Sequence, residues 1–105
     1  MKNIMKSEQL ECELMSIGKE IENFMYTMEL YMEIIDMKYK NRLRDMEMVN
    51  SVKEKEQEMV TIINKINVIE LKAVPLNDRE LMMKCECKKA KLINLMMHMQ
   101  SKYGC

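Results

Sequence analysis

Leu10, Leu14, Ile17, Ile21, Phe24, Met28, Tyr31 and Ile35 follow one another at alternating steps of four and three. Apolar residues that recur every 3.5 positions line one edge of an α-helix, the seam of a coiled coil or bundle. Glu11, Glu13, Lys19, Glu20, Glu22 and Glu29 stand between them, and a lipid-spanning helix would not tolerate that many charges. The eight seam residues are therefore the candidate partner-binding set.

The rest of the chain is also written for helices. Of 105 residues, 15 are Met, and there are only two Gly and one Pro. So little turn chemistry argues against a β architecture, and Met, Leu, Glu and Lys are good helix formers. The expected class is all-α, in a single domain spanning residues 1–105.

With Leu10 at heptad position d, Leu14, Ile21, Met28 and Ile35 are a positions, and Ile17, Phe24 and Tyr31 are d positions. The flanking e and g sites turn apolar from Met25 onward, at Met25, Met32, Ile34, Tyr39, Met46 and Met48. A two-stranded coiled coil keeps those sites charged, so the wider face points to a bundle with more than one neighbouring helix.

After Ile35 the seam stumbles. Lys38, Arg42 and Asp45 occupy its continuing frame, while Tyr39, Leu43 and Met46 offer a shifted one; Val49 and Val52 restore the first. No Gly or Pro interrupts this stretch, so the favoured reading is one long helix over about 8–73, capped by Ser7, with a stutter inside it. The alternative is a break near Asn50, where Ser51-Val52-Lys53-Glu54 has the form of a capping box, giving three helices.

Met59, Ile62, Ile63, Ile66, Ile69 and Ala73 carry the apolar face to Val74-Pro75, where Pro forces its predecessor out of the helix. A turn over 74–77 leads to a final helix over about 78–102. Asn77 is its expected cap, with Glu80 at N3 and Leu76 and Leu81 as a hydrophobic staple. So short a turn folds the two helices into an αα-hairpin. A continuous first helix of about 100 Å would outrun a final helix of about 40 Å, leaving Leu10–Ile35 bare and in need of a partner chain.

Charge agrees with assembly. The net charge is zero, but residues 1–36 hold three Lys against eight Asp and Glu, so an acidic first third meets a basic remainder. The absence of an apolar leader and of any membrane-length apolar run predicts a cytoplasmic or nuclear protein with reduced thiols.

Chemistry-bearing motifs are sparse. Cys85, Cys87, Met97, His98 and Met99 offer soft atoms suited to Cu(I), a weaker alternative reading as a metal or thiol-dependent binder. Against it, helical residues two apart point about 200° from each other, so Cys85 and Cys87 do not naturally share an ion. Lys84, Lys88 and Lys91, with Lys89 beside them, form a basic face on the last helix. A role on RNA or the ribosome would use it, yet no aromatic or Arg cluster accompanies it, so nucleic acid is disfavoured. The acidic first third is the simpler partner for these lysines. Met abundance suits either an adaptable binding surface or a core in which Met stands where Leu would pack.

No nucleophile–base pair, phosphate loop or catalytic carboxylate pair is discernible, so no enzyme and no cofactor is expected. The sequence reads as a non-catalytic helical interaction or assembly subunit that forms a homo-oligomer or docks a helical partner through the seam.

Overall fold

Three helices are built from three apolar stripes. The computed structural model describes residues 2–38 and 46–103. Helix α1 runs Lys2–Lys38, α2 Met46–Ala73 and α3 Arg79–Tyr103, with a 3₁₀ turn at Val74–Leu76 between the last two. No strand occurs among the described residues. No helix among them is long and apolar enough to cross a membrane. The expected all-α architecture is present, in its three-helix form.

The long helix over 8–73 is not. α1 ends at Lys38 and α2 returns antiparallel beside it, as pairing of Lys38 with Glu47 and of Glu20 with Lys65 shows. Residues 39–45, between the two helices, lie outside the described residues, and with them the shifted-frame pair Tyr39 and Leu43. Asn50 and Ser51 do not break a helix; both lie inside α2, where the Ser51 hydroxyl shares a hydrogen bond with the Tyr31 phenol. The physical reason lies in the frame that stumbled. Lys38, Arg42 and Asp45 give a continuing seam nothing to bury, so α1 loses its reason to go on, whereas folding back lets α2 cover it. Ser7 likewise sits within α1 rather than capping it.

Pro75 ends the second arm as expected, and the turn is finished by Asn77 in the left-handed region at φ 56°. Asn tolerates that conformation better than most residues. Its amide donates to the Val74 carbonyl at 3.0 Å. Because Asn77 is spent on the turn, the cap of α3 is Asp78. Its Oδ1 accepts a hydrogen bond from the Leu81 amide at 3.1 Å, satisfying one of the orphan donors at the helix start. Leu76 is half-buried and Leu81 buried, so both apolar staple residues reach the core.

The resulting antiparallel succession puts α1 and α3 parallel to each other in a rod of 60 × 19 × 16 Å. Met28, Val52, Met59, Ile66, Cys85, Leu92 and Met99 are fully buried along its axis. Each Val, Leu, Ile or Met among them contributes about 1.5–3 kcal/mol relative to its exposed state. Four methionines, Met28, Met48, Met59 and Met99, are core residues filling places where Leu packs elsewhere. Others, including Met15, Met37, Met83 and Met97, are on the surface.

Ion pairs stitch acidic α1 to the other two helices at spaced intervals. Lys84 reaches Glu11 at 2.6 Å, Lys65 reaches Glu20 at 3.1 Å and Lys102 reaches Asp36 at 2.6 Å. The Glu11 carboxylate holds the Lys84 ammonium above its ordinary range. Exposed pairs contribute only about 0–1 kcal/mol each, so they set helix register more than stability.

Near the C-terminal end of α3, Tyr103 is buried and its hydroxyl donates to Asp36 Oδ1 at 3.2 Å. Burial, with the Asp36 charge behind it, pushes this phenol well above its ordinary value. The folded state therefore holds the phenolic proton more tightly, so stability is full below about pH 10 and falls as pH rises beyond it. Urea unfolding of Tyr103→Phe and the parent should show the parent's lead at pH 8 shrinking by pH 11. A lead that holds constant would contradict this.

Gly18 faces α3, and the ammonium of Lys88 lies 3.0 Å from where its β-carbon would sit. That neighbour is the free end of a flexible side chain and can swing aside. Gly18→Ala is thus expected to stabilise the helix by about 0.5–1 kcal/mol, read as a rise of several degrees in melting temperature. A fall would show that Lys88 is fixed in place.

Candidate functional site

The seam assigned to a partner is occupied by the chain itself. Leu10, Leu14, Ile21, Met28 and Ile35 are buried in the common core, and Ile17, Phe24 and Tyr31 are half-buried against it. Helices α2 and α3 supply the cover that a straight first arm would have lacked. Met25 and Met32, on the widened side of the seam, are also half-buried against this core.

The soft-atom set is dispersed. Cys85 is buried while Cys87 is exposed, and Met99 is buried while Met97 and His98 are exposed. Helical spacing turns each pair to opposite sides. No group of three or more His, Cys, Asp or Glu among the described residues is placed to hold a metal ion. Burial, reinforced by the nearby Glu70 charge, pushes the Cys85 thiol above its ordinary value, which makes it a poor nucleophile. In a Cys105→Ser background, a thiol reagent should modify Cys12 and Cys87 rapidly and Cys85 only on unfolding. Three equally fast thiols would contradict the packing around Cys85.

Lys84, Lys88 and Lys91 share one face of α3, as expected, and line the same groove. Lys84 pairs with Glu11 and Glu80, and Lys89 turns the other way to Glu70 at 2.8 Å and Asn67 at 3.0 Å. Lys88 and Lys91 border this open groove of about 530 Å³ between α1 and α3, alongside Met15 and Met83.

The outer surface of α1 carries what sequence reasoning passed over. Tyr26, Leu30, Ile34 and Met37 are 66%, 46%, 61% and 80% exposed. Spaced at four, four and three, they form one stripe on the helix side away from the seam. Leu10 at d puts Tyr26 at f and Leu30 and Met37 at c, positions that a surface helix fills with polar residues. Only Ile34, at g, had been grouped with the apolar flank. Apolar residues at outward heptad positions were the signal that could have found the rest.

The stripe's flank is acidic. Glu22, Glu29 and Glu33 are exposed and make no ion pair among the described residues, while residues 20–37 contain no Lys or Arg. Elsewhere among the described residues the exposed apolar runs are shorter: Val68, Leu71 and Val74 follow at steps of three, and Ile93 and Met97 on α3 at a step of four. The α1 stripe is the longest unbroken one, and it includes an aromatic residue.

No protein-family model, no curated protein and no solved structure matches this chain.

Proposed function

We propose that the chain is a non-catalytic helical interaction subunit that folds on its own seam and docks a protein partner along the outer face of α1. The observation that carries this reading is the exposed Tyr26–Leu30–Ile34–Met37 stripe. Scattered exposed hydrophobes are normal on a protein, but a contiguous apolar stripe with a polar rim is the pattern of an interaction surface. Aromatic and Met side chains suit such surfaces, the first for contact area at low entropic cost and the second for adaptability. Tyr26 and Leu30 are the expected anchors.

A photo-crosslinking residue placed at position 30 in producing cells tests the reading. The expected result is one discrete protein adduct that Ile34→Ser reduces at least roughly tenfold, in keeping with loss of a central interface contact. The same probe at the exposed Gln57 of α2 should not form it. Identical adducts from both positions, or none from position 30, would overturn the proposal.

A further inference from the structure

Resting on that docking surface, we infer that its occupant is an amphipathic helix of another protein, with apolar residues in a stripe and Lys or Arg on its flanks. The first argument is shape. Four side chains spaced over three turns of a convex helix make a ridge about 16 Å long. A ridge of this form packs against another helix laid alongside it, with i, i+4 rows interdigitating, and offers no pocket for a small molecule.

Charge sets the partner's character. α1 carries eight acidic residues, and Glu11, Glu20 and Asp36 are already satisfied by Lys84, Lys65 and Lys102 of the same chain. Those that flank the stripe, Glu22, Glu29 and Glu33, are unpaired among the described residues, and no basic residue stands between positions 20 and 37 to offset them. A helix with basic flanks supplies the missing cations at the rim while its apolar stripe covers the ridge. Rim charges of this kind raise association rates and reject wrong partners.

The same charges disfavour two other occupants. A two-fold contact between α1 of two copies would bring the acidic flank of one against the acidic flank of the other. On the chain's other helices Lys65, Lys84, Lys89 and Lys102 are engaged in ion pairs of their own, and Lys55, level with Tyr31, pairs with Glu58; the exposed Lys53 beside it is a single charge against three. An anionic lipid surface would repel the three glutamates.

Two synthetic peptides of about 18 residues test the inference. Both carry Leu in a helical stripe, one flanked by Lys and the other by Glu, and both are titrated against the full chain by fluorescence anisotropy at low and high salt. The Lys peptide is expected to bind at least roughly tenfold tighter than the Glu peptide, with the gap narrowing as salt rises. The Glu29→Gln, Glu33→Gln double variant should remove most of the gap, and Leu30→Ser with Ile34→Ser should abolish binding of both peptides. Equal affinity for the two peptides overturns the basic-partner inference and leaves the docking surface standing. No binding of either, together with no adduct from position 30, overturns both. A dimer in sedimentation that Leu30→Ser dissociates makes a second copy the occupant and also overturns the inference.

Discussion

Met28→Lys is expected to leave no folded chain at room temperature, with helical circular dichroism collapsing to that of an unfolded protein. Met28 is fully buried in the second half of α1, and no buried polar or charged side chain occurs in the core among the described residues. Removing its side chain costs about 2–5 kcal/mol, and the lysine adds the cost of an ammonium with no partner. Together these match or exceed the roughly 5–15 kcal/mol by which a domain is stable. Ile21→Lys should behave alike. Met37→Lys, at an exposed position of the same helix, should change stability by no more than about 0.5 kcal/mol. Had the seam served only to join chains, the same substitutions would yield smaller but still helical species. A helical, lower-mass Met28→Lys protein would therefore refute the internal use of the seam.

The second large effect is the converse. Leu30→Ser with Ile34→Ser removes the middle of the exposed stripe and should leave the melting temperature within a few degrees of the parent. Ile34 is mostly in water and Leu30 about half exposed, so only a modest burial is lost. Partner contact, in contrast, should fall by roughly two orders of magnitude, because central apolar contacts dominate an interface and each is worth about 1–2 kcal/mol or more. Binding and stability thus separate on one helix: a→Lys changes at Ile21 or Met28 destroy the fold, and c→Ser or g→Ser changes at Leu30 and Ile34 destroy association. Loss of both properties in the Leu30→Ser, Ile34→Ser protein would show the stripe to be structural.

What the sequence makes plain is local. The 3.5-residue spacing from Leu10 to Ile35 marks which face of α1 is buried, Val74-Pro75 marks where α2 ends, and the apolar e positions Met25 and Met32 call for a second neighbouring helix. What it obscures is where chain direction reverses. Residues 39–45 contain neither Gly nor Pro, and a charged continuing frame beside a shifted apolar one reads more readily as a stutter in one long helix than as its end. That one ambiguity carried the interface with it, since a straight 8–73 helix leaves the seam bare and a folded one buries it. The cap of α3 was missed by one residue for a similar reason, because Asn77 and Asp78 are both good caps and only the left-handed turn decides between them. Tyr26, Leu30 and Met37 were visible throughout, but a strong seam draws attention from the opposite side of its own helix.

Energy transfer between dyes at positions 6 and 72 tests the folding-back most directly. Lys6 and Lys72 line the same groove, beside Leu10, Pro75 and Leu76. A continuous helix would hold them roughly 100 Å apart. Lys6→Cys and Lys72→Cys in a chain with Cys12, Cys87 and Cys105 changed to Ser leaves only buried Cys85, which should stay unlabelled. Near-complete transfer that persists after dilution with excess unlabelled protein is the expected result. Absence of transfer, or transfer that the unlabelled protein abolishes, would mean that the seam is covered by another chain and not by its own.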